Sequence, residues 1–136
     1  MKKIFVLSVI IFFIGMNLNA QNLIGLNEKE IRTYMADNLK NVTFQNFVNN
    51  STFKYLKYSD ADETQTMLFF LNDQLVCKAV RLVYDKSLRE EKLKELNTLY
   101  KKTGDNQWTE TKDGKSYLIE LKEEEWKFNI TIKLNE

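Results

Sequence analysis

The chain has 136 residues, with 20 lysines and arginines against 19 acids, and its net charge of +1 offers no general attraction to nucleic acid or anionic lipid. It contains no histidine, no proline and one cysteine, Cys77. That removes the commonest general base and zinc ligand, excludes serine–histidine and cysteine–histidine catalysis, and leaves stability to a packed core without internal disulfides.

The chain opens with Lys2 and Lys3 ahead of an uncharged apolar run, Ile4–Met16. The run falls about two helical turns short of the ~20 residues that span a bilayer. Polar Asn17 and Asn19 follow, and small Ala20 suits the position before a cut. Together they predict a cleaved secretory signal peptide over residues 1–20. No cysteine follows directly, so lipid attachment is not expected. Residues 21–136 are then one domain, periplasmic or secreted, with no stable insertion in a membrane.

In "GLNEKEIRTYMADNL", Asn27 and Glu30 have the spacing of a capping box. Ile31, Tyr34, Met35 and Leu39 recur at helical spacing behind it. The next stretch, "KNVTFQNFVNNSTFKYLKYSD", is ambiguous: its asparagines suggest loops, while "TFKYLKY" has the aromatic content of a strand. "QTMLFFLNDQLVCKAVRLVYD" predicts two strands around a tight turn at Asn72-Asp73. Cys77 is expected to be a buried structural residue of the second strand, with Lys78 and Arg81 facing water.

A second helix is expected in "SLREEKLKELNTLYKKTG". Ser87 and Glu90 have capping-box spacing, Lys101 and Lys102 suit the negative end of the helix dipole, and Gly104 is placed to close the last turn. An Asp113-Gly114 hairpin turn follows. In "KFNITIKL", Phe128, Ile130, Ile132 and Leu134 alternate with Lys127, Asn129, Thr131 and Lys133, which predicts one buried and one wet face. The expected class is α+β: antiparallel meanders with two helices packed on one face, in the order α-β-β(-β)-α-β-β-β. The helix-plus-meander pattern occurs twice without a visible residue-level repeat.

The opener "IGLNEKEIRTYM", through Gly25, Asn27, Glu30 and Ile31, resembles small exported domains related to β-lactamase inhibitor protein and to outer-membrane assembly lipoproteins. It departs from them in lacking the lipid-attachment cysteine and a glycine-proline pair after the helix. Over most of its length, and in the phrase "FFLNDQLVCKAVRLVYD", the chain resembles the uncharacterised small exported proteins of Gram-negative bacteria. The resemblances imply a domain that is not an enzyme and that binds protein.

No residue is assigned a catalytic, cofactor-binding or metal-ligating role. Asp60, Asp62 and Glu63 could ligate calcium or act as an acid/base pair, but the full calcium-loop pattern is missing and a solvated hairpin turn is expected. Trp108 and Trp126 both sit near strand starts, where an indole can be half buried; a structural role is expected for each, with a partner-facing rim as the alternative. Phe53, Tyr55, Tyr58, Phe69, Phe70 and Tyr84 supply more aromatic surface than one helix face covers. Tyr55, Tyr58 and Trp126 are therefore the candidate binding residues. The function expected is protein binding, of inhibitor or immunity type, with no cofactor. The alternative is an envelope-assembly accessory factor that captures client peptides at a sheet edge.

Overall fold

The computed structural model describes residues 20–135, so the expected signal peptide lies outside the described residues except for Ala20. A 3-10 turn, Ala20–Leu23, precedes helix α1 (Glu28–Asn38). Strands β1 (Thr43–Asn49), β2 (Lys54–Ser59), β3 (Gln65–Leu71) and β4 (Cys77–Asp85) follow. A second 3-10 turn, Lys86–Leu88, leads into helix α2 (Arg89–Leu99). The chain ends with β5 (Lys101–Gly104), β6 (Gln107–Lys112), β7 (Lys115–Glu123) and β8 (Lys127–Leu134). The class is α+β, as expected.

The strands form one antiparallel sheet in the order β1-β2-β3-β4-β8-β7-β6-β5. Each helix is thus followed by a four-strand meander, and the two meanders join through their last strands, β4 and β8. The element order corrects the sequence expectation at both sheet edges. The ambiguous stretch after α1 contains β1. The lysine-rich end expected for the second helix is β5, because α2 stops at Leu99 with Tyr100 as its extended C-cap. Gly104 therefore closes no helix.

Local chemistry explains several boundaries. The Asn27 side chain accepts from the Glu30 amide at 2.9 Å, and the Glu30 carboxylate accepts from the Asn27 amide at 3.0 Å, which completes the predicted box. The second predicted box does not form: Ser87 sits in the 3-10 turn, and Leu88 caps α2 without a side-chain bond. The β3–β4 connection is longer than a two-residue turn. Asn72 accepts from the amides of Gln74 and Val76, and Leu75 takes a left-handed φ of 61°. Asp113 and Gly114, with φ of 53° and 76°, form the tight β6–β7 turn that the sequence predicts.

The core is built from the alternation seen in β8. Phe128, Ile130 and Ile132 are fully buried beside Leu56, Phe69, Val80, Leu82 and Ile119, and the helices add Ile31, Met35 and Leu96. Each such side chain contributes about 1.5–3 kcal/mol by leaving water. Helix contacts land on this side of the sheet. From α1, Arg32 lies 4.2 Å from the centroid of the Phe44 ring. From α2, Lys92 stands 4.9 Å from the Tyr84 ring centroid, and Asn97 accepts from the Trp108 indole at 2.9 Å. Asn129, expected to be wet, is buried and donates to the Glu124 carboxylate at 2.9 Å.

Candidate functional site

Residues paired across the strands share a face of the sheet, so the register sets out the surface opposite the core. One row runs Val48, Tyr55, Phe70, Ala79, Lys133, Leu118. The next runs Lys57, Leu68, Arg81, Thr131, Glu120. Tyr55 and Phe70 meet edge to face with ring centroids 6.0 Å apart. The Arg81 guanidinium lies 5.1 Å from the Phe70 centroid, and its Nε donates to the Thr131 hydroxyl at 3.2 Å. This places a cation over an aromatic face, held by a neighbouring strand.

Beside this pair, an open groove of about 560 Å³ is lined by Phe53, Phe70, Lys54, Lys78, Arg81 and Lys133, among others. Phe53 is 57% exposed. It is held in the β1–β2 turn because the Asn50 side chain accepts from the amides of Thr52 and Phe53. Lys54 pairs loosely with Asp73 at 3.5 Å and Lys133 with Glu120 at 3.7 Å. Lys78 makes no ion pair among the described residues. The groove therefore presents aromatic surface ringed by cations, which suits an acidic ligand surface with apolar content.

The three candidate residues do not converge. Tyr55 stands on the open face, part-buried. Tyr58 is turned the other way, between Phe44 at 5.6 Å and Phe69 at 5.9 Å between centroids, and is 5% exposed. Burial pushes its hydroxyl pKa up, an effect that the nearby Arg32 partly offsets. It is a core residue. Trp126 overturns the structural expectation, since it is 77% exposed in the β7–β8 turn, where the Glu124 amide donates to the Lys127 carbonyl. Trp108, by contrast, has the expected structural role and is fully buried.

Trp126 lies at the opposite end of the sheet from the cationic groove, close to the β2–β3 turn. The Lys127 ammonium donates to the Glu63 carbonyl at 3.1 Å across these two turns. In that β2–β3 turn, Asp60 is committed to local structure. It accepts from the Thr64 hydroxyl and the Gln65 amide, and the Thr64 bond does most to hold its carboxyl below the usual range. Among the described residues, no group of three or more histidine, cysteine, aspartate or glutamate side chains is placed to hold a metal ion. No helix among them is long and apolar enough to cross a membrane.

Cys77 is 2% exposed, and its thiol donates to the Ala79 carbonyl at 3.4 Å. Burial pushes its pKa up to about 12, so it is neutral and unreactive at ordinary pH. Sequence reasoning anticipated that Arg81 and Lys133 face water. It did not bring them together with Lys54, Lys78 and Phe53, because that convergence depends on register between strands distant in the chain. No protein-family model, curated protein or solved structure matches this chain.

Proposed function

We propose that this chain is an exported domain that works by binding a protein through the open face of its sheet, with no cofactor and no chemistry of its own. A role of inhibitor or immunity type is the concrete version. One observation carries the reading: Tyr55 and Phe70 form an aromatic pair, with Arg81 over it, on the side of the sheet opposite the helix contacts. An aromatic pair left part-exposed there is the composition of a binding hot spot. Exposed Phe53 and the lysines of the groove extend it, so the partner is expected to present an acidic surface with an apolar centre. The basic start, short apolar run and Ala20 support delivery to the periplasm or beyond, followed by loss of the leader.

The test is a quantitative pull-down from envelope extract with tagged protein starting at Gln21, compared with a Tyr55→Ala/Phe70→Ala version. The partner is expected to be retained by the first and lost from the second, with circular dichroism showing both folded. Equal recovery by the two proteins would remove the case for this face. Mass spectrometry of the protein from its native cells checks the export half of the proposal: a species starting at Met1 in the lipid fraction contradicts it.

A further inference from the structure

We infer that the free edge of β1, together with the groove between α1 and β1, is a strand-addition site for an extended peptide segment with alternating apolar side chains and an acidic end. The two edges of the sheet differ. β5 is four residues long and begins with Lys101 and Lys102, a short charged edge of the kind that discourages pairing. β1 is seven residues long, reads TFQNFVN with no charge, and is largely exposed. A β-bulge interrupts its pairing with β2 between Phe44 and Asn46, but Asn46–Asn49 run in continuous register. Among the described residues, no strand pairs with the outer side of that run, so its main-chain donors and acceptors are left for an incoming strand.

Side chains that such a strand turned toward the core side would fall between β1 and α1. At the Thr43–Phe44 end of β1, across the bulge from that run, the structure has a groove of about 410 Å³, with Met35, Leu39, Val42, Phe44 and Tyr58 in its walls and floor. Phe44, in this groove, is 40% exposed, which is unusual for a large apolar residue beside a core. Among the described residues, the charged ones lining the groove are Arg32 and Lys40, both cations. Arg32 is already drawn over Phe44 and bonded to Glu28, while Lys40 donates to the carbonyl of Ala36 at the exposed end of α1. Backbone pairing supplies affinity, the apolar groove selects alternate side chains, and the cations select an acidic end. This surface is separate from the open face, so either can fail without the other.

The experiment is an NMR titration of the isotope-labelled domain with a short peptide alternating valine and threonine and carrying aspartate at each end. A lysine-ended version is the control. Shift changes are expected at Thr43–Asn49 and at the groove residues, with slowed amide exchange along β1. The aspartate-ended peptide should bind about tenfold more tightly than the control. Phe44→Asp should weaken binding by about tenfold or more, and Lys40→Glu, at an exposed position, should reverse the preference between the two peptides. The inference is overturned by no response at millimolar peptide, by equal binding of the two peptides, or by shifts at Tyr55 and Phe70 instead. Protection of the β1 amides by self-association, without peptide, also overturns it, because the occupant would then be a second copy of the chain.

Discussion

Tyr55 and Tyr58, three positions apart on β2, point to opposite faces of the sheet: Tyr55 meets Phe70 on the open side, and Tyr58 is clasped by Phe44 and Phe69 on the core side. The period-2 geometry of a strand requires this split. It also separates binding from stability. Tyr58→Ala should cost about 3 kcal/mol or more by leaving a cavity among aromatic rings. Tyr55→Ala should cost about 1 kcal/mol, the worth of one part-exposed aromatic contact. Urea unfolding followed by circular dichroism measures both, and similar losses for the two would contradict the assignment of faces.

The two tryptophans should report different solvents. Trp126 is in water, while Trp108 is sealed by the core with its indole bonded to Asn97. Acrylamide should quench the fluorescence of Trp126 readily and that of Trp108 hardly at all. A Trp126→Phe protein is therefore expected to resist quenching and keep its stability within about 0.5 kcal/mol. Strong residual quenching in that variant would mean that Trp108 is not where the fold puts it.

Cys77 makes alkaline pH a weakness of the fold. Its thiol titrates near about 8.5 in an unfolded chain, and burial pushes it up to about 12 in the folded one. Burial also raises the Tyr84 hydroxyl. The stabilising contribution of the protonated thiol is complete below the unfolded value and is lost as pH rises from there through 12. In that window the unfolded chain releases a proton that the folded chain keeps. Stability should fall by up to about 1.4 kcal/mol per pH unit for each such proton. Thermal melts from pH 8 upward should show this decline, and a shallower one in Cys77→Ala. Iodoacetamide should label Cys77 only after unfolding; rapid labelling at neutral pH would show an open site.

Of the two capping boxes that the sequence suggests, only one forms, and substitution should distinguish them. Asn27→Ala removes the acceptor for the Glu30 amide and should cost about 1 kcal/mol. Ser87→Ala should change stability by less than about 0.5 kcal/mol, since the cap of α2 makes no side-chain bond. Paired denaturation curves decide this, with equal costs counting against the boundary found for α2.

The legible parts of the sequence were those where a local pattern and the tertiary environment ask for the same thing. Asn27 and Glu30 satisfy each other within one turn, Asp113-Gly114 reverses the chain by itself, and β8 alternates because one face must be dry. The edges were less legible. Among the described residues, β1 and β5 each have a strand on one side only, and they carry neither the apolar runs nor the strict alternation of the interior strands. Lys101 and Lys102 fit a helix end as well as a guarded sheet edge, and only the pairing of β5 with β6 separates the two. Trp126 follows the alternative of an outward rim and not the return to the core that a tryptophan beside a strand usually makes, and that choice is not written in its local pattern.

Composition, charge and local pattern by themselves determined the class of the fold, the buried place of Cys77 and the absence of histidine chemistry. Each of these follows from residue identity or from contacts within a few positions. Only the tertiary structure decided which strands are edges, which tyrosine faces the open side, and which cations gather around Phe53 and Phe70. Those depend on register between strands far apart in the chain, where a slip of one residue would turn every side chain to the other face.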